Sequence, residues 1–474
     1  METQREGPVR RERSPGRRRV LIASVAGCAV LGGVLVLLPR ERSAGPATPS
    51  PGALAMEAVG GGVPAALPGL TELIEERREA VRTRPRDATS WAVLGAAYVE
   101  RGRRLSDPAD YPRAEKALRT SLSVRPERNT RALAGLAALS NARRDFPAAR
   151  RWGEAALKLE PRRWTTYPLL IDAYTGLGEY KAAKRTLDRL TGLRSGPAVL
   201  ARAAAVYRDR GWREDAAASL ADAAAGARAP AERAAYLERA GQLAFERGDL
   251  DVALRHFREA VRLDPDQWAA RAGQGRTLAA LGRTTQALNA YRAALAGQPC
   301  PQYALELGEL YESLGMPEAA RARYGLLRER VRRAAAAGAD EELVLGRFEA
   351  DHGDPKAAVR RLRAEWERQP GTEVADALGW ALYRSGEPAE ALRFALRATA
   401  TEPGGGALDA ASMYHRGMIE QALKRYGAAR RHLTEALRIN PHFSPLYAPA
   451  ARTALEALGE PPDEEVPEMD GGAG

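Results

Sequence analysis

Two cysteines in 474 residues, Cys28 and Cys300, are too few for a disulfide framework. Neither stands in a C-x-x-C pair or a Cys/His cluster, so structural zinc and dithiol redox chemistry have no ligands. The five histidines, His256, His352, His415, His432 and His442, are scattered and read as polar surface or interface positions. Lysine is scarce too: arginine supplies all but six of the 72 basic residues, which, with the abundant alanine and glycine, points to GC-rich coding rather than a binding mode. No Walker A segment, H-E-x-x-H or G-x-S-x-G elbow occurs. Gly273-Gln274-Gly275 lacks the third glycine of a dinucleotide fingerprint and lies mid-helix. These absences leave no catalytic residue, no metal and no cofactor to expect.

The formal net charge is +11, but its distribution argues against nucleic acid. Residues 1–19 hold seven arginines against three glutamates, and residues 460–474 form an acidic Pro/Gly-rich tail. Between them Arg and Glu alternate along helical segments, the pattern of solvated helix faces.

One long uncharged apolar run exists, Val20 to Leu38. As a helix it reaches about 28 Å, close to a hydrocarbon core of about 30 Å. The arginines before it place the N-terminus in the cytoplasm and the following chain outside. Other readings stay open: Val25-Ala26-Gly27-Cys28 resembles a lipobox that would acylate Cys28 in an exported lipoprotein, Ala53-Leu54-Ala55 resembles a signal-peptidase site, and Arg17-Arg18-Arg19-Val20-Leu21 loosely resembles a twin-arginine signal. Residues 39–68, with Pro39, Pro46, Pro49, Pro51 and Gly60-Gly61-Gly62, read as a flexible linker.

From residue 69 the chain repeats with a period near 34, marked by closing prolines: Pro126 and Pro161, Pro265 and Pro299, Pro370 and Pro403. Trp91-x2-Leu94-Gly95-x2-Tyr98 and then Ala253, Phe257, Ala260 and Pro265 resemble the two halves of a tetratricopeptide (TPR) repeat. The resemblance implies an all-α TPR solenoid of about ten helix-turn-helix units over 69–459, with end caps and an N-terminal transmembrane helix before it. Units four, seven and eight fit least well, because Ala223 and Leu327 have no proline at the usual distance. Small residues such as Gly241 and Ala253 suit close helix approach. Glycines such as Gly178, Gly248 and Gly353 suit the left-handed end of the first helix.

The same resemblance implies protein or peptide ligands in a concave groove lined by the first helices. Its candidates are Asn141, Asp172, Arg208, Gln242, Arg276, Glu309, Arg347, Trp380, Tyr383, Tyr414, Met418 and Gln421. They lack the two-lysine, two-asparagine clamp for a C-terminal carboxylate. Trp380, Tyr383, Tyr414 and Met418 form an aromatic and methionine group of the kind that dominates binding hot spots or packs between units. The expectation is a non-enzymatic, single-pass scaffold in a bacterial cell membrane of actinobacterial type, with its solenoid on the extracytoplasmic side. A regulator of a membrane or cell-wall enzyme is a second reading. A third is a chaperone like the cytochrome c maturation factors, which the stretch Leu73 to Arg103 resembles.

Overall fold

The computed structural model describes residues 49–400 and 409–459. The basic tail (1–19), the apolar run (20–38) and the acidic tail (460–474) lie outside the described residues. Among the described residues no helix is long and apolar enough to cross a membrane.

Twenty-three α-helices follow one another, with no strand among the described residues. α1 (Pro51–Gly61) and α2 (Leu67–Thr83) form a leading hairpin. Ten units follow: α3 (Ala88–Leu105) with α4 (Asp110–Val124), α5 (Thr130–Ala142) with α6 (Phe146–Leu159), α7 (Tyr167–Gly176) with α8 (Tyr180–Leu193), α9 (Pro197–Asp209) with α10 (Arg213–Gly226), and α11 (Pro230–Glu246) with α12 (Leu250–Leu263). The second five are α13 (Trp268–Ala280) with α14 (Thr284–Gly297), α15 (Pro301–Ser313) with α16 (Pro317–Ala336), α17 (Glu342–His352) with α18 (Pro355–Arg368), α19 (Thr372–Arg384) with α20 (Pro388–Ala398), and α21 (Ala410–Ala422) with α22 (Tyr426–Ile439). α23 (Tyr447–Leu458) closes the series. The units that fit the sequence pattern least well form hairpins like the others.

Local chemistry starts and stops these helices. Asp87 accepts from the Thr89 and Ser90 amides at 3.0 and 3.2 Å, and Ser444 accepts from the Tyr447 amide at 3.1 Å. Proline, which has no amide hydrogen to lose, opens α9, α11, α15, α16, α18 and α20. Within a unit the second helix sends one large side chain into a notch left by glycine. Phe257 of α12 is fully buried between Gly241 and Gly273, where added Cβ atoms would lie 2.7 and 2.4 Å from its ring. Burying such a ring stabilises by about 1.5–3 kcal/mol, and no side chain larger than glycine fits in either notch.

Two expectations are corrected. Residues 51–61 are not part of a flexible linker. Pro51 starts α1 behind the Ser50 cap, Gly62 ends it at φ 66°, and Gly69 of α2 lies so close that a Cβ there would sit 2.4 Å from the Pro51 carbonyl. The proline and glycine that suggest a linker are the helix's own end signals. Gly353 is not left-handed: its φ is −140°, although Gly315 and Gly386, which also stand two residues before a helix-opening proline, are left-handed. Arg144 and Lys424 take the left-handed position in units two and ten without the help of glycine.

Units usually contact only their neighbours in such an array, but here the solenoid winds tightly enough for successive superhelical turns to touch. The Arg104 guanidinium, at the α3–α4 turn, pairs with Asp264 after α12 at 2.6 Å, with both side chains buried. The Gln298 amide donates to the Arg103 carbonyl, and the Asp340 amide to the Arg143 carbonyl at 2.9 Å. The Tyr180 hydroxyl accepts from the Thr372 amide at 3.0 Å, and the buried Asn440 donates to the Phe245 carbonyl at 2.7 Å. Each contact joins the turn inside one unit to the connection five to six units later. Gly178 shows how close the turns come. It sits at φ 71°, and a Cβ there would lie 2.5 Å from the Pro370 carbonyl.

α16 serves the same seam. At 20 residues it is the longest helix among those described, running past the position where a closing proline would stop it. Ala334 and Ala339 at its end join the core built by α1 to α5. The missing proline after Leu327 is therefore a structural feature of unit seven.

Candidate functional site

The first helices of the units line the concave face, and polar links between neighbouring first helices run along it. Asn141 of α5 donates to the Leu169 carbonyl of α7 at 2.9 Å. Asp172 of α7 pairs with Arg202 of α9. Arg208 of α9 makes two hydrogen bonds to Glu246 of α11, at 2.8 and 2.7 Å. Gln242 of α11 accepts from Arg276 of α13, which also pairs with Glu306 of α15 at 2.7 Å.

The ladder continues through buried histidines. His352 of α17 lies between Glu309 and Glu312 of α15, its nitrogens 3.6 and 3.2 Å from their carboxylates. Burial opposes its charge, yet Glu309 and Glu312 more than compensate and raise its pKa above the ordinary histidine value. Asp351 accepts from the Trp380 indole of α19 at 2.9 Å, and Arg347 lies 3.8 Å from Glu373. Asp376 of α19 meets His415 of α21 at 3.0 Å; burial alone would neutralise both groups, but each holds the other charged. From α5 to α21 every adjacent pair of first helices is linked.

The structure divides the sequence candidates into two sets. Asn141, Asp172, Arg208, Gln242, Arg276, Glu309 and Arg347 are half-buried rungs of this ladder. Tyr383, Met418 and Gln421 are half-buried beside it. Trp380 and Tyr414 are not on the groove surface at all: they are 4% and 3% exposed, 5.6 Å apart, and packed with His415 and Tyr447 in the core of the last units. Sequence reasoning missed the partners Arg202, Glu246, Glu306, Asp351, His352, Asp376 and His415. Their signal was present, since each pairs with a residue of opposite charge or matching polarity about one repeat away.

Burial pushes the Cys300 thiol up to about 11, which leaves it unreactive at neutral pH. Among the described residues no three His, Cys, Asp or Glu side chains converge as metal ligands. Asp209 stands out electrostatically: desolvation pushes its carboxyl up to about 7, with Arg208 opposing the shift and Glu373, Glu246 and Asp172 reinforcing it. Folding therefore favours its protonated form. That contribution is complete below the ordinary aspartate range and is lost as pH rises from about 4 through 7. Asp209→Asn is expected to flatten this slope and to raise stability at pH 8 by up to about 4 kcal/mol at 1.36 kcal/mol per pKa unit. Urea unfolding of parent and variant at pH 5 and 8 measures it, and identical slopes would show that the carboxylate is well hydrated.

Residues 238–296, 272–341 and 377–443 match the tetratricopeptide repeat family model. No curated protein matches the chain. Among solved structures, the APC/C hetero-tetramer Cut9–Hcn1 is 15% identical, with 83% of this chain and 82% of that chain covered and a TM-score of 0.38. A tetratricopeptide repeat protein from Parabacteroides merdae is 18% identical over 56% of this chain and 99% of that one, with a TM-score of 0.33. The human IFIT1 dimer with PPP-AAAA is 14% identical over 78% and 94%, with a TM-score of 0.40. In residues 238–341 and 377–443, where the family match coincides with glycine-notched helical hairpins, the chain carries tetratricopeptide repeats.

Proposed function

We propose that the chain is a non-enzymatic scaffold, tethered to a bacterial cell membrane by residues 20–38 with its N-terminus in the cytoplasm, and that its solenoid holds an extended segment of a partner protein on the extracytoplasmic side. The observation that carries this reading is the continuous, half-exposed polar face from α5 to α21. It presents a side-chain set at every unit. Eight steps between first helices, at about 9 Å each, give a path on the order of 70 Å, enough for about twenty extended residues. The uncharged run and the arginines before it support the tether and its orientation.

In-cell crosslinking of the full chain followed by mass spectrometry tests the groove. The comparison is a variant carrying Arg347→Glu and Tyr383→Ala, two half-buried positions, Tyr383 at the edge of the last units' core. A small set of envelope proteins captured by the parent and lost from the folded variant is the expected result. Equal capture by both would move the working surface off the concave face. A reporter fused after residue 474 that is active only in the cytoplasm would reject the orientation.

A further inference from the structure

The connections between units all lie on one edge of the solenoid, and the superhelical winding divides them into two sets. Those after α12, α14, α16, α18 and α22 follow units five to eight and ten, and the turns of the first five units cover them. In their described residues they contain no arginine or lysine. The residues that reach the neighbouring turn there are Asp264, Gln298, Asp340, Thr372 and Asn440.

Among the described residues no turn lies below the connections after α2, α4, α6, α8 and α10. They span nearly one superhelical turn and so form its free rim. Seven exposed arginines stand on this rim: Arg84 and Arg86, Arg125 and Arg128, Arg162, Arg194 and Arg228. Among the described residues their guanidinium groups make no ion pair and no hydrogen bond, and Arg194 lies over the Trp164 ring at 5.6 Å. The acidic residues on the rim neutralise it only in part: Asp87 caps α3 and feels the Arg84 charge, Glu160 pairs with Arg163, and Glu127 is the one other acid on it.

We propose that this arginine rim is the surface by which the solenoid seats on anionic lipid headgroups. The proposal rests on the membrane tether proposed above. An annulus of loop arginines at one axial end suits a flat anionic surface better than a groove-bound chain, and guanidinium groups pair with phosphate oxygens. Chain length favours the same occupant. Only residues 39–50 separate the apolar run from α1, a reach of at most about 40 Å, and Arg40 and Arg42 lie within it. Each arginine near such a surface contributes about five-fold to the partition, an effect that salt screens.

The test uses the full chain reconstituted into vesicles of phosphatidylcholine, alone or mixed with phosphatidylglycerol, with hydrogen exchange read by mass spectrometry. Exchange in segments 84–87, 125–129 and 194–196 is expected to be several-fold slower on the phosphatidylglycerol vesicles. The protection should vanish in high salt and in the variant Arg84→Glu, Arg86→Glu, Arg125→Glu, Arg128→Glu, whose helix content should match the parent. Equal exchange on the two vesicles would overturn the proposal. So would protection by soluble polyglutamate or duplex DNA but not by phosphatidylglycerol, which would make the rim a site for acidic polymers. Release of the chain from both vesicles in high salt would count against the tether alone. The rim is then judged by co-sedimentation of the chain in low salt, and equal recovery with the two vesicles overturns it.

Discussion

Arg104→Ala is expected to cost about 3–5 kcal/mol of stability, because it leaves the Asp264 carboxylate buried without its counter-charge. The two side chains are 5% and 7% exposed, so the carboxylate left behind is largely withdrawn from bulk solvent. The pair joins turns 160 residues apart in sequence, so the loss reports on the superhelical seam rather than on either hairpin. Replacing both partners, Arg104→Met with Asp264→Leu, is expected to recover most of the loss, since buried ion pairs barely repay their own desolvation. Urea midpoints of the three variants measure this. A loss below about 1 kcal/mol for the single change, the size of an exposed pair, would mean that the turns are not docked in solution.

Trp380→Ala is expected to cost about 3–5 kcal/mol, as a cavity at the centre of the aromatic core of the last units. Trp380→Phe keeps most of the packing but removes the indole donor from Asp351, at about 1–3 kcal/mol. Tyr383→Ala, on the half-exposed side of the same helix, is expected to cost less than either. Equilibrium unfolding ranks the three. If Trp380→Ala stays within about 0.5 kcal/mol of the parent, the ring is a surface group and the sequence expectation for it is restored.

The hairpins were legible because the signals that make them are local and recur. Trp91-x2-Leu94-Gly95-x2-Tyr98 marks α3, and the closing prolines mark the ends of second helices. α1 was hidden because a proline at its start and glycines at its end have the composition of a linker. Trp380 was misplaced because it follows the glycine of its helix, as Arg276 and Glu309 do in theirs, and that repeat position usually faces the groove. In unit nine α23 packs over it, and a polar position becomes a core one. The seam was illegible for another reason: it joins residues too far apart for any periodic pattern. Arginine stands before a closing proline only on the free rim, at Arg84 and Arg125, but Glu160 stands there too, against Asp264, Gln298, Gln369 and Asn440 where turns meet, so that position alone does not separate the two sets.

The contact between successive turns also constrains how the sequence can change over evolutionary time. Open solenoids gain and lose whole repeats readily, because each repeat touches only its neighbours. Here Arg104 must find Asp264, Gly178 must clear Pro370, and Phe245 must receive Asn440. Duplicating or deleting one repeat between the partners of any of these pairs would rotate the connection by most of a fifth of a turn and strand a buried carboxylate or amide. The number of repeats is thus fixed by the closure of the spiral on itself, and variation should accumulate as loop substitutions and end extensions instead.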